Sequence, residues 1–175
     1  GAFLPAAERF NLASRVDRWV LRRAFAWIEA HREAFAHIDT LAINLSGQSI
    51  GDRAFHRYVS QLLRESSFDL HRLCFEITET SAITALGDAT AFISEMRRQG
   101  VRVALDDFGA GASSFGYLKQ LPVDYIKIDG QFIRDLDRDP LNQATVRCFC
   151  QVAQVLGLAT IAEFVDSERV FDALN

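Results

Sequence analysis

The chain predicts an α/β fold of the TIM-like (β/α) barrel type, with about five of the roughly eight strands of a closed barrel in its 175 residues. Three observations predict it. Apolar periodicity alternates between helix and strand along nearly the whole length. The strands are almost wholly apolar, which implies a parallel sheet covered on its outer face. Each strand also carries a polar or ionisable residue near its C-terminal end. A doubly wound sheet shares the first two features but would scatter those residues along an edge, whereas a barrel gathers them at one mouth, where sites of this fold lie.

The elements follow in order. Residues 14–31 read as an amphipathic helix whose stripe is Val16, Trp19, Val20, Ala24, Trp27 and Ile28. The run TLAINLS (40–46) is a short strand ending near Asn44, followed by a helix over 52–64. RLCFEITE (72–79) is the second strand, bearing Glu76 and Glu79. A helix over 88–99, closed by Gly100, leads to VRVALDD (101–107), whose end holds Asp106 and Asp107. A glycine-rich loop and a short helix through Tyr117 and Leu118 precede VDYIKID (123–129), with Lys127 and Asp129. The helix over 142–156 stops at Gly157, where a C-capping glycine belongs. LATIAEFV (158–165), with Glu163, is the fifth strand, and Ser167 is placed to cap a last helix.

Composition narrows the function classes. A 49% hydrophobic content supports one sizeable core, and a net charge of −4 gives no electrostatic footprint for duplex nucleic acid or an acidic membrane. No apolar run approaches the ~20 residues that span a bilayer, and no signal-peptide pattern opens the chain. Cys74, Cys148 and Cys150 lack zinc-type spacing, and Cys148 and Cys150, two apart on a helix, fall on different faces. A reducing, cytoplasmic setting fits, as does a cytoplasmic domain of a membrane-anchored protein.

The chemistry lies in the carboxylates. Glu76, Asp106, Asp107 and Glu163 crowd one concave site, where repulsion and desolvation disfavour bare anions. Raised pKa values or bound divalent cations relieve that, and an oxygen-rich set without His or Cys suits Mg²⁺ or Mn²⁺. Asn44 adds an amide oxygen, and Asp106 is placed to bridge two ions. Paired ions are a common device for in-line attack on phosphodiesters, and Lys127 beside them is suited to position water or offset phosphate charge. Each residue has a plainer reading. A strand-end Asp is more often a helix N-cap than a ligand, the Asp106–Asp107 pair included. Lys127 is equally an ordinary ion-pair partner, and the Asn44 sequon requires an exposed asparagine in a secreted chain. The glycines of FGAGASS (108–114) lack a P-loop lysine, so a lid suits them better than a phosphate cradle. Five strand ends that all carry polar groups are harder to explain as separate accidents.

The series FLPAAE (3–8), DRWVL (17–21), NLS (44–46), FEITET (75–80), ALDDFGAGASSFGYLKQLPVDYIKID (104–129) and TIAEFV (160–165) resembles the EAL domain in order and spacing, over nearly the whole chain. The resemblance implies a metal-dependent phosphodiesterase that converts cyclic di-GMP to linear pGpG with Mg²⁺ or Mn²⁺ in a two-metal site. It assigns Asn44, Glu76 and Asp106 to one ion, with Asp107 and Glu163 at the second and Asp106 shared. Lys127 would hold or help activate the nucleophilic water, Glu79 would anchor a lid loop over 108–118, and Asp129 would be a polar contact near substrate on the strand face of Lys127. Ala112 stands at a lid position that is often aromatic in the family. A homodimer through the EAL-like domain and regulatory domains elsewhere in the parent chain belong to the same expectation.

The Glu-Ala-Leu motif belongs upstream of Phe3, and a glutamine-glycine motif belongs beyond Asn175. The reading is therefore of one EAL-like domain over 1–175, truncated at both ends and inactive by itself. Two other readings stand beside the enzyme. A non-catalytic receptor would bind the dinucleotide and signal by conformation. An enolase-like barrel would use strand-end acids with a lysine base, which the DDFGAGASS lid does not fit.

Overall fold

In the computed structural model, residues 3–111 and 115–174 are described, so Ala112 and the end of the chain at Asn175 lie outside the described residues. Five strands, β1 (Leu41–Leu45), β2 (Leu73–Thr78), β3 (Arg102–Phe108), β4 (Tyr125–Ile128) and β5 (Ala159–Ala162), pair in parallel in the order β1-β2-β3-β4-β5. A doubly wound sheet reverses its order at a switch point; an unbroken sequential order is the winding of a barrel wall.

Alternation along each strand gives the wall two faces. Ile43, Leu45, Phe75, Ile77, Val103, Leu105, Ile126 and Ile128 are buried on the helix-covered face. The register sets Asn44 beside Glu76, Thr78 beside Asp106, and Lys127 beside Ile161 on the other face. Polar chemistry and core packing are thus separated by the period of the strand.

The helices are α1 (Phe3–Arg9), α2 (Ala13–Ala30), α3 (Arg32–Ala36), α4 (Gly47–Ile50), α5 (Arg53–Glu65), α6 (Glu79–Thr84), α7 (Leu86–Arg98), α8 (Gly130–Ile133), α9 (Pro140–Leu156) and α10 (Glu168–Leu174). Their starts are largely written in side chains. Ser46, Asp52, Thr78, Asp129 and Asp139 accept hydrogen bonds from the first turns of α4, α5, α6, α8 and α9. The Ser167 hydroxyl accepts from Val170 N at 3.4 Å, in the first turn of α10. Gly157 ends α9 at φ 72°, a conformation that other residues adopt only at a cost. No helix among the described residues is long and apolar enough to cross a membrane.

Four expectations are corrected. The stripe of α2 is not the one through its tryptophans: Ala13, Leu21, Phe25 and Ile28 are buried, while Trp19 and Trp27 are 58% and 42% exposed. Apolar residues cover so much of this helix that periodicity alone does not choose a face. Glu79 is not on the second strand but opens α6, because Thr78, the last residue of β2, also caps that helix. Asp129 is not within the fourth strand: it stands just past β4, with one carboxylate oxygen accepting from the first turn of α8. Glu163, likewise, lies one residue beyond β5.

Phe108, Phe115 and Phe132 pack around Phe149 of α9 with ring centroids 5.0, 5.8 and 5.3 Å away, all in edge-on contact. This aromatic nest sits beneath both ends of the loop that follows β3.

Candidate active site

Two consecutive residues of a strand normally face opposite ways. Asp106 and Asp107 escape that rule because the β3–β4 register shifts between Leu105 and Phe108, and Asp107 adopts φ 53°. A bulge of this kind re-aims a side chain, and an aspartate is among the few non-glycine residues that tolerate the left-handed region. As a result, carboxylate oxygens of Asp106, Asp107 and Glu163 all lie within 4.8 Å of one another.

Lys127 stands at the centre. Its Nζ donates to Glu76 Oε2 at 3.0 Å and Asp106 Oδ1 at 2.9 Å, and pairs with Glu163 Oε1 at 2.9 Å. The four side chains are 11, 11, 13 and 22% exposed for Lys127, Glu76, Asp106 and Glu163. Burial opposes the charge on Lys127, but the hydrogen bonds to Asp106, Glu163 and Glu76 outweigh it and hold its pKa above the ordinary 10.5. An ammonium so held is a donor and a counter-charge to the three carboxylates.

Asp107 faces the opposite pressure. Partial burial, then the charges of Asp106, Asp129 and Glu163, push its carboxyl above the usual aspartate range, with Lys127 offsetting part of the effect. Four carboxylates against one ammonium leave three negative charges in a small space. An all-oxygen donor set of that charge fits a hard divalent cation. Asn44, exposed on β1 and in register with Glu76, supplies the neutral oxygen on the same face.

Glu79 is buried, at 2% exposure, and takes no part in that cluster. Its Oε2 accepts from Gly109 N at 3.0 Å, and its Oε1 accepts from the Tyr117 hydroxyl. One carboxylate thus holds both flanks of the loop after β3. Burial, the bond to Glu79 and the charge of Glu79 drive the Tyr117 hydroxyl far above its ordinary pKa, so it remains a donor. Gly109 has φ 94°, and a Cβ there would lie 2.7 Å from Phe149 Cζ and 2.9 Å from Phe132 Cε2. Only glycine fits between Glu79 and the aromatic nest.

Asp129 Oδ1 accepts from Gln131 N at 2.7 Å, so one of its oxygens is committed to the α8 cap, the plainer of its readings. Cys74 lies on the face of Glu76, and its thiol is pushed up to about 12, first by burial and then by the Glu76 charge, which leaves it unreactive. Two residues on which the sequence reading placed no role also join the site's frame. Tyr117 is the partner of Glu79, and Asp17 of α2 binds the turn after β1. Asp17 carried no readable signal: it falls four residues before Leu21, on a stripe that periodicity alone does not pick out.

The EAL domain family model matches residues 1–175. Cyclic di-GMP phosphodiesterase PdeB of Shewanella oneidensis is 39% identical over 175 residues, 99% of this chain and 20% of that protein, so the chain spans about a fifth of that relative's length. The EAL domain of Mycobacterium smegmatis DcpA superposes with a TM-score of 0.85 at 34% identity, covering 94% of this chain and 74% of that one. The FimX EAL domain from Pseudomonas aeruginosa bound to c-di-GMP superposes with a TM-score of 0.87 at 28% identity, over 98% of this chain and 68% of that one.

Proposed function

Because this chain belongs to the EAL domain family, we propose that it carries the catalytic mouth of a phosphodiesterase that hydrolyses cyclic di-GMP to linear pGpG. The observation that supports this most is the cluster of four carboxylates around one ammonium. A dianionic substrate would be repelled from such a mouth, so productive binding calls for cations to stand between the acids and the phosphates. Asp106, Asp107 and Glu163 would hold one Mg²⁺ or Mn²⁺, and Asn44, Glu76 and Asp106 the other. When bound, such ions polarise a phosphoryl oxygen and lower the pKa of water.

The chain's own residues do the rest. Lys127 keeps Glu76, Asp106 and Glu163 turned to one point with its three N–H donors, and a donor released from one of these carboxylates would hold the attacking water or a phosphate oxygen. Water adds to one phosphorus, the P–O3′ bond breaks, and the leaving oxygen takes up a proton, so one ring opening yields the linear dinucleotide. Glu79 acts at a distance from the chemistry, fixing the loop that covers the mouth through Gly109 and Tyr117. Asp129, with one oxygen committed to its helix, offers the other to substrate. Homodimerisation through this domain, and regulatory domains elsewhere in the parent chain, belong to the same reading.

The relative bound to c-di-GMP keeps a second reading in view, that of a receptor without turnover. One experiment separates them. The full protein carrying this chain is assayed with cyclic di-GMP and Mn²⁺, the product is followed by chromatography, and Asp106→Asn is run in parallel. Formation of pGpG that Asp106→Asn abolishes together with metal binding is the expected result. Tight binding of the dinucleotide with no pGpG would instead establish the receptor.

A further inference from the structure

The Asn44 side chain makes no hydrogen bond among the described residues, so its place depends on the backbone that carries it. That backbone is held from outside the sheet. Asp17 Oδ2, on α2, accepts from Ser46 N at 2.8 Å, Ser46 Oγ at 2.7 Å and Ser49 Oγ at 2.6 Å. All three donors lie in the turn that begins two residues after Asn44 and becomes α4. A carboxylate oxygen that accepts three bonds is fully engaged, and charge-assisted bonds of this kind are about twice as strong as neutral ones.

The same turn is tied a second time. Gln48 Oε1 accepts from Ala13 N at 3.2 Å, and Gln48 Nε2 donates to Glu8 O at 2.6 Å, so the start of α2 and the end of α1 grip it together. Asp17 itself lies on the buried stripe with Leu21, Phe25 and Ile28, whose side chains are packed in the core. Its carboxylate therefore has a rigid base and a fixed target.

We infer that Asp17 is a positioning residue: it pins the β1–α4 turn and thereby sets where the Asn44 amide stands in the mouth. The inference deepens the phosphodiesterase reading and rests on it only for its effect on metal and turnover. Nothing in the site requires Asp17 to touch metal or substrate; it acts through Ser46. Outer partners that orient a ligand typically change metal affinity or activity by about 10–100-fold when removed, and misplacement of a reacting group by about 1 Å has an effect of similar size.

The test uses the full protein carrying this chain, with Asp17→Asn, Ser49→Ala and Trp19→Ala. The last removes an exposed side chain of the same helix and serves as control. Mn²⁺ alone is the binding probe, by calorimetry; cyclic di-GMP turnover is split into kcat and KM; amide exchange is read across 42–50. Asp17→Asn leaves the three donors a neutral amide oxygen in place of a carboxylate, so their bonds lose the charge assistance. It is expected to lower Mn²⁺ affinity and kcat about tenfold or more with KM nearly unchanged, and to deprotect the Ser46 and Ser49 amides. Ser49→Ala, which removes one bond of three, should give the same pattern more weakly and keeps the test decisive if Asp17→Asn does not fold. Wild-type Mn²⁺ affinity, kcat and exchange in the variant that folds would overturn the inference. If the wild type itself neither binds Mn²⁺ nor yields pGpG, the phosphodiesterase reading fails. The exchange data still decide the positioning claim: loss of protection confined to this turn supports it, and unchanged protection refutes it.

Discussion

Replacing Lys127 by methionine keeps the length of the stem and removes the ammonium from three carboxylates at once. Each contact, at 2.9–3.0 Å, is worth about 6 kcal/mol in gross Coulomb energy at an effective dielectric of ~20. Desolvation of four side chains between 11 and 22% exposed cancels most of that sum. Losing one partner of a buried ion pair typically costs about 3–5 kcal/mol. Here three acids are left facing one another, so the upper half of that range is expected, about 4–5 kcal/mol, or a fall of roughly 10 °C in melting midpoint for a chain of this size. Because the Lys127 pKa is raised, the stabilisation is complete below the ordinary lysine value of 10.5 and is lost only as pH climbs through the higher folded value. The difference between wild type and variant should therefore hold across neutral pH. Urea denaturation is run with a chelator and again with Mn²⁺. Metal at about a hundred times the wild-type dissociation constant should return about 2.7 kcal/mol to the wild type, and the same concentration more to the variant, in which no ammonium competes for the oxygens. An unchanged or higher midpoint for Lys127→Met in chelator would refute the reasoning, since it would mean the three acids do not depend on the ammonium.

Three further outcomes are expected. Asp107→Asn should raise the melting midpoint of the metal-free protein at neutral pH, because the folded carboxyl pKa is raised and its ionised form weakens the fold until pH falls through that value. The same variant should lose Mn²⁺ binding by calorimetry, and its amide suits φ 53° as well as the acid does. Gly109→Ala should destabilise by about 3 kcal/mol in urea melts, from positive-φ strain together with overlap on Phe149 and Phe132; a change under ~0.5 kcal/mol would mean the aromatic nest yields freely. Glu79→Ala should leave Mn²⁺ affinity nearly intact while exchange at the Gly109 amide accelerates about tenfold to a hundredfold, as expected for loss of a charge-assisted bond. Lost metal binding with unchanged exchange would put Glu79 among the ligands instead.

What could be read in advance follows a physical line. Runs such as LAINL and LCFEIT are strands, the first buried on one face and the second along nearly its whole length, and residues 41–45 and 73–78 form them where the apolar patterning says. The sequential strand order also followed from alternating elements and strand-end polarity. The turn of Asp107 into the mouth was not legible, because it depends on a backbone bulge that no spacing of residue types encodes. The short helices α4, α6 and α8 were missed for a related reason: each is under two turns, too brief for a 3.6-residue period to show, and is held by its cap rather than by its pattern. In α2, Val16, Trp19, Leu21, Ala24, Phe25, Trp27 and Ile28 spread around the helix, so the core-facing side is chosen by what α2 packs against.

A wall whose strands pair in the order they are made has a history during synthesis. Each new βα unit has its pairing partner in the one emitted just before it, so the sheet is able to lengthen by accretion as the nascent chain emerges. The growing margin is bare only until the next unit arrives, which limits the time in which a stray strand could pair there. The acids enter on the same schedule. Glu76 and Asp106 are laid down before their cation, Lys127 joins them with β4, and Glu163 arrives last, to an ammonium already in place. Lys127 thus meets Glu76 and Asp106 one strand before Glu163 joins them, and the mouth holds more negative charge than positive at each stage.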